Sequence, residues 1–414
     1  MRSKPGPVWV GEVELGRSLD PTGAMRALRA GDTAARLLVR LHGQVLGFVT
    51  IPVSGDDIAS GIDAVMVGAA VRSQLGARLA RHVAADGHGP DAEPGHPGIS
   101  VVVCTRDRPL MLAACLERLR ALDYEPFEVV VVDNAPSSDA SRACFERTVG
   151  GDARFRYVRE PVAGLSRARN RGMAEASARL VAFTDDDVQV DARWLQAIAA
   201  GFSRDARTAC VTGIVPPAAL DHPAQQYFDR RYSWARRVDA EVYSISSGGG
   251  GVPALYPYSA GLFGTGANFA VDREVVDRLG GFDPALGAGS PSGGGEELDL
   301  FVRILRAGWS VVYEPSAVVW HVHRGDARAL RHQLFAYGEG LTAFLTKHLV
   351  DTCTTKEVLK RIPEGARHIL RMWSPAAMDG RAPAVLVLTE ALGMVAGPLA
   401  YARGRGRAWL ARAA

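Results

Sequence analysis

Asp185, Asp186 and Asp187 follow one another at the end of the apolar run Leu180-Val181-Ala182-Phe183-Thr184. Carboxylates that close repel, and a shared divalent cation is the usual remedy. The end of a buried strand is also where α/β sheets bind ligands. The competing reading is a solvated turn that caps a helix around Trp194 to Ala200, since Asp favours turns and N-caps. Asp133 closes a second apolar run, Phe127 to Val132. A strand-end Asp there suits a ribose or base, or else caps the turn through Asn134 and Pro136. Arg167, Arg169 and Asn170 follow Gly164 at the start of a helical stretch. Guanidinium groups at a helix N-terminus suit a diphosphate; for Arg167 a solvated surface charge is the alternative. Glu296, Glu297 and Asp299 open another helix after the Gly-rich stretch Gly287 to Gly295. Acids in a first turn complement the macrodipole, and Asp299 is read that way.

Elements must bring these groups together. Residues up to about Ala85 form a small α+β unit by pattern: a strand at Val8 to Leu15, a hairpin over Arg36 to Val53 turning at His42-Gly43, and a long helix from Ile58 to Val83. Residues 86–98 collect Gly, Pro and charge without periodicity, which predicts a linker. From Ile99 strands alternate with helices: a strand at Ile99 to Cys104, a helix at Pro109 to Leu122, a strand at Phe127 to Val132, a helix at Ser166 to Ala178 and a strand at Leu180 to Thr184. That spacing predicts a mostly parallel sheet, with Thr105, Asp133 and Asp185 to Asp187 along one rim. Pro216 to Gly261 breaks the rhythm. It reads as a long substrate-gating loop, carrying Tyr227, Phe228, Tyr232, Trp234, Tyr256 and Tyr258 around a Gly-rich stretch.

The chain has 414 residues, 47% hydrophobic and 22% charged, enough for two or three domains and an ample core. A net charge of +3 gives no sign of nucleic-acid binding. The five cysteines are scattered without metal-ligand spacing, and Met1 to Pro7 lacks an apolar signal core. Both features lead to the expectation of a reduced, cytoplasmic chain.

Eight segments then fall in a recognisable order: Ile99-Ser-Val-Val-Val-Cys-Thr-Arg-Asp-Arg, Val130-Val-Val-Asp-Asn, Gly164-Leu-Ser-Arg-Ala-Arg-Asn-Arg-Gly, Phe183-Thr-Asp-Asp-Asp, Gly264-Thr-Gly-Ala-Asn-Phe-Ala, Gly280-Gly-Phe-Asp, Gly295-Glu-Glu-Leu-Asp-Leu and Trp320-His-Val-His-Arg. From Ile99 to about Arg324 the chain resembles family 2 glycosyltransferases. The resemblance implies a GT-A fold over 99–325: a Rossmann-like, mostly parallel α/β sheet with helices on both faces, joined to an acceptor-binding half. It implies an inverting, metal-dependent transfer from a nucleoside-diphosphate sugar to the hydroxyl of a glycan, a lipid-linked or a small-molecule acceptor. By the same resemblance Thr105, Asp133, Arg169, Asn170, Asp185 and Gly266 meet the nucleotide sugar. Asp187 and His321 hold the ion, with His323 as a rival ligand and Asp186 as the spacer. The ion is Mn²⁺ or Mg²⁺, and an imidazole ligand shifts the choice towards Mn²⁺. Position matching makes Glu297 the catalytic base, with Glu296 the second candidate. Relatives usually show Glu-Asp at this point, and the longer Glu297 needs a compensating backbone shift to reach an acceptor hydroxyl. That departure keeps in view an impaired GT-A protein that binds or scaffolds; a sugar-nucleotide pyrophosphorylase would share the fold, but no Gly-rich nucleotidyl-transfer loop with a following Arg and Lys stands near Ile99.

Residues 326–414 are expected to be helical. Ala327 to Leu349 reads as one helix, followed by a break near Ser374-Pro375. Ala382 to Tyr401 is apolar apart from Thr389 and Glu390, and Arg403, Arg405 and Arg407 follow. Glu390, Gly393, Gly397 and Pro398 argue against a membrane span. Peripheral contact with anionic lipid, at the inner face of the cell membrane, is one expectation, and packing on the catalytic domain is the other.

Overall fold

Alternating apolar residues make Val8–Leu15 (β1) a half-buried strand. The computed structural model describes residues 6–16, 21–22, 28–84, 96–232, 234–245, 253–259, 261–373 and 384–413. The two-residue strand Pro21–Thr22 (β2) borders β1, which pairs in parallel with Ala34–Leu41 (β3). β3 turns through His42-Gly43 into the antiparallel Gln44–Pro52 (β4). Both turn residues have positive φ, 52° and 76°, as a two-residue hairpin turn demands. The helix expected over 58–83 is two helices, Gly55–Ser60 (α1) and Ala64–Ala84 (α2). Gly61, at φ 79°, ends the first with a backbone bond to Asp57. Val67 and Val71 of α2 pack on Leu37, Val39 and Val49 to give this unit its own core. Most of the expected linker, 86–95, lies outside the described residues.

The main sheet is built from Ile99–Thr105 (β5), Phe127–Asn134 (β6), Phe155–Glu160 (β7), Leu180–Asp185 (β8), Val188–Val190 (β9), Thr208–Ile214 (β10), Glu241–Tyr243 (β11), Asn268–Asp272 (β12) and Ser310–His321 (β13). Its order is β11-β13-β10-β12-β8-β5-β6-β7, with β9 paired to the end of β13. Pairing is parallel from β8 to β7 and between β10 and β13. It is antiparallel on both sides of β12 and at β9 and β11, so the sheet expected to be mostly parallel is mixed. Its central strands are apolar on both faces because both are covered. Val101, Val103, Val129 and Val131 face the helices Pro109–Arg120 (α3) and Ala140–Val149 (α4). Val102, Val130 and Val132 face the opposite way, into a core shared with Leu165–Glu175 (α5). Trp194–Phe202 (α6) packs on the first face.

The segment 216–261 corrects the expectation of a long loop. It contains a helix, Pro223–Tyr232 (α7), and the edge strand β11. Phe228 is buried, and with Leu330, Leu334 and Leu386 it forms a core into which Tyr227, Tyr232, Trp234 and Tyr337 pack. Residues 246–252, the Gly-rich part, lie outside the described residues. After β12 come the short Arg273–Arg278 (α8) and Glu296–Arg306 (α9). Three helices end the chain: Ala327–Val350 (α10), Thr355–Met372 (α11) and Ala384–Ala413 (α12). Arg403, Arg405 and Arg407 lie within α12 rather than beyond it, and the expected break at Ser374-Pro375 falls outside the described residues.

Candidate active site

The aspartate triplet joins two strands. Asp185 ends β8, Asp186 and Asp187 turn the chain, and β9 begins at Val188. Antiparallel pairing sets Val188 opposite His321, and the Val322 amide donates to the Asp187 carbonyl at 3.1 Å. Register therefore brings His321 to the triplet. Ligand atoms of Asp185, Asp187 and His321 all lie within 4.8 Å of one another, and His321 Nε2 stands 3.4 Å from Asp187 Oδ1. Burial holds the His321 imidazole below its ordinary pKa against the pull of Asp187, so its ring is neutral and can lend a lone pair. Two carboxylates and one neutral imidazole are a donor set that fits a divalent ion. His323 points elsewhere: its ring packs 4.7 Å from Phe228 and 6.1 Å from Trp234, and burial drives its pKa down to about 3.

Each aspartate has its own surroundings. Asp186 is buried, accepting from Thr105 Oγ1 at 2.7 Å and from Arg108 at 3.0 Å. It acts as an anchor as well as a spacer. Asp187 lies 3.1 Å from Arg108 and 3.3 Å from Arg324. Burial pushes Asp185 up to about 7, with Arg169 opposing and the like charges of Asp187 and Asp186 adding. Arg108 and Arg324 were missed as site residues. The signals were present, since Arg108 stands three residues beyond the end of β5 and Arg324 closes the Trp320-His-Val-His-Arg segment. Both guanidinium groups remain partly open, 42% and 36% exposed, which leaves room for a second anion.

Arg169 takes a different part from the one expected. It is buried on α5, donating to Glu296 Oε1 at 2.8 Å and to the Gly266 carbonyl at 2.9 Å, with Asp185 at 3.8 Å. Phe183, Phe269 and Phe282 surround its guanidinium. Both of its terminal nitrogens donate to the protein. Gly266 lies so close that a Cβ there would stand 2.9 Å from Arg169 Nη2. Asn170 is likewise committed, donating to the Phe282 carbonyl and accepting from the Phe282 amide, each at 2.8 Å. Thr105 spends its hydroxyl proton on Asp186. Thr105, Arg169 and Asn170 therefore build the wall of the crevice from behind.

At the start of α9 the two glutamates divide. Glu296 is buried in the Arg169 ion pair, with Oε2 unpartnered beside Gly287. Glu297 is half-buried near Gly266, and burial followed by the like charge of Glu296, against Arg169, pushes it up to about 8. Asp299 is locked away from the crevice. It lies 2.8 Å from Arg303, 2.9 Å from Lys347 and 3.3 Å from His348. Burial alone would raise its pKa, yet Arg303, then His348 and Lys347, hold the carboxyl well below the ordinary range. Its contribution to stability is thus complete above the ordinary carboxylate pKa and fades only as pH falls below it. Asp299→Asn is expected to cost about 3 kcal/mol by taking the carboxylate from Arg303 and leaving Lys347 with Asp283 alone. A urea midpoint unchanged from the parent protein would show that the lock contributes nothing.

On the far side of the sheet rim Asp133 is fully buried and accepts from Tyr157 Oη at 2.5 Å, while its Oδ1 has no partner. Burial raises its pKa. An orphaned buried acceptor costs free energy unless a ligand satisfies it. Asn134, next in line, accepts from the Gly164 amide at 2.8 Å and so ties the start of α5 to the same rim.

Comparison with known proteins gives the following. Residues 100–280 match the family described as Glycosyl transferase family 2. A pre-mycofactocin glycosyltransferase of Mycobacterium tuberculosis is 27% identical over 282 residues, covering 67% of this chain and 54% of that protein. A polypeptide N-acetylgalactosaminyltransferase 11 of Xenopus tropicalis is 25% identical over 241 residues, covering 56% of this chain and 39% of its own length. The chain thus spans about half the length, or less, of these curated relatives. Among solved structures, a mannosyltransferase of Pyrobaculum calidifontis in complex with GDP-Man and Mn²⁺ superposes with a TM-score of 0.45 at 19% identity, over 83% of this chain and 85% of that one.

Proposed function

We propose, on the match of residues 100–280 to glycosyltransferase family 2, that this chain moves a sugar from a nucleoside-diphosphate sugar to an acceptor hydroxyl with inversion at the anomeric carbon. The observation that carries the reading is the convergence of Asp185, Asp187 and His321 within 4.8 Å of one another, on the same crevice wall as Arg169 and the Glu296-Glu297 helix start. Asp187 and His321 would hold a divalent ion, with Asp185 between them and the donor. Such an ion offsets charge on a departing diphosphate. Its imidazole ligand favours Mn²⁺ over Mg²⁺.

Chemistry then falls to this chain's own groups. Asp133 receives the base or ribose through its unpartnered Oδ1. Arg108 and Arg324, partly open beside Asp187, meet the phosphates in the place first expected of Arg169. Glu297 takes the proton of the acceptor hydroxyl as that oxygen attacks the anomeric carbon. The bond from that carbon to the phosphate oxygen breaks, and its electron pair stays with the diphosphate. Arg169 and Glu296 hold Gly266 and α9 so that Glu297 faces the sugar. The five cysteines are free thiols, which suits work in the cytoplasm.

A screen of nucleotide sugars by thermal shift, with and without Mn²⁺, tests the reading. One donor should raise the melting temperature only when Mn²⁺ is present, and that donor should be slowly hydrolysed. A protein shifted by no nucleotide sugar and hydrolysing none would end the proposal.

A further inference from the structure

Helix α12 has two unlike faces. Leu386, Glu390, Gly393, Gly397, Tyr401 and Gly404 are buried. The glycines let α10 and α12 run side by side in close contact: a Cβ at Gly397 would stand 2.5 Å from the Glu339 carbonyl, and one at Gly393 would strike that of Phe335. Glu390 is the single acid of α12. Its carboxylate accepts from Arg231 at 2.8 Å, from Tyr232 at 3.0 Å and from the Trp373 indole at 3.1 Å. A membrane-spanning α12 would have to strip Glu390 of these partners.

The outer face is apolar and uncovered. Val385, Leu388, Leu392, Val395 and Leu399, spaced three and four apart, are 52–79% exposed. Only 33% of the helix's apolar window is buried, unlike the core helix of a soluble protein. The stripe runs on to exposed Arg403, Arg405 and Arg407, and α12 offers no exposed acid. α11, which ends on α12 through Trp373, adds exposed Leu359, Ile362 and Leu370 beside exposed Lys360 and Arg371.

We propose that α12 lies flat on an anionic lipid bilayer, its outer stripe among the upper acyl chains and its arginines among the headgroups. An exposed apolar stripe that runs into basic residues is the pattern of an interfacial helix. A second copy of the chain is the weaker occupant, because neither partner's outer face would offer an acid to the other's arginines. The buried face of α12 packs on the segment that is hydrogen-bonded to α5. A Cβ at Gly404 would stand 2.7 Å from the Ala285 carbonyl, and Tyr401 packs with Ala285 and Leu286, whose carbonyl accepts from Ser166 on α5.

Sedimentation of the full chain with vesicles tests this without any turnover, so it stands or falls apart from the transferase reading. Vesicles of phosphatidylcholine with about 30% phosphatidylglycerol should pellet the protein, while phosphatidylcholine alone should hold it weakly. Leu388→Ser, Leu392→Ser and Val395→Ser together should cut partitioning on the order of a hundredfold. Arg403→Gln, Arg405→Gln and Arg407→Gln together should cut it by roughly as much. All these positions are exposed, and an unchanged melting temperature would confirm that both variants fold. Failure of the parent protein to pellet, equal pelleting of the variants, or a dimer that the serine variant turns to monomer would each overturn the proposal.

Discussion

Replacing Asp187 with alanine is expected to abolish sugar transfer, by on the order of a thousandfold or more, while the protein stays folded. The side chain is where the site's partners converge, with the cations Arg108 and Arg324 on Oδ2 and the neutral His321 on Oδ1. Its removal leaves Asp185 and His321 as an incomplete ligand pair, so Mn²⁺ affinity should fall together with the rate. The fold should survive because β9 is held by its backbone. The Val322 bond to the Asp187 carbonyl does not use the carboxylate, and Arg108 keeps Asp186. Isothermal titration with Mn²⁺ beside a rate assay separates the outcomes. Retention of Mn²⁺ binding and of a rate within about tenfold of the parent would remove Asp187 from the metal site.

Glu297→Gln should lower kcat roughly a thousandfold and leave donor KM and Mn²⁺ affinity almost unchanged, since it removes a proton acceptor and little else. Glu296→Gln is the contrast. It breaks a buried ion pair with Arg169 and should appear first as a loss of melting temperature. The two adjacent glutamates would then be told apart by which quantity moves. pH gives a second handle. A base works only when deprotonated, and Glu297 holds its proton up to about 8. kcat/KM should therefore climb from the acid side through that region. A flat profile from about pH 6 to about 9, or full activity in Glu297→Gln, would exclude Glu297 as the base.

Much of this was legible because it is local. The apolar runs that end in Asp133 and Asp185, the His42-Gly43 hairpin and the helix from Ala327 are written in neighbouring residues, and each is found close to where periodicity places it. What escaped depends on chain segments meeting across long separations. Nothing near Asn170 announces that Phe282 will take its whole amide. Nothing near Arg169 announces Glu296, which is 127 positions away. The antiparallel strands β9 and β12 were missed for the same reason, as short runs whose partners lie far off in the chain. α7 was hidden by its own composition, since a run of Gln, Arg and aromatic residues lacks the aliphatic repeat that marks a helix. The hydroxyl of Thr105 was assigned to the ligand because a strand end on a crevice rim is where ligands sit. It was the second aspartate, taken as a spacer, that claimed it.

The turn from β8 into β9 is two residues long, and β9 finds His321 through a pairing of three residues. Chain length, more than side-chain identity, is therefore what this corner cannot vary. One residue inserted or deleted between Asp185 and Val190 would turn alternate side chains to the other face, setting Trp320 or Val322 where the imidazole belongs. A chain of this design can drift widely in the sequence of its outer helices, but its evolution at this corner must proceed by substitution alone.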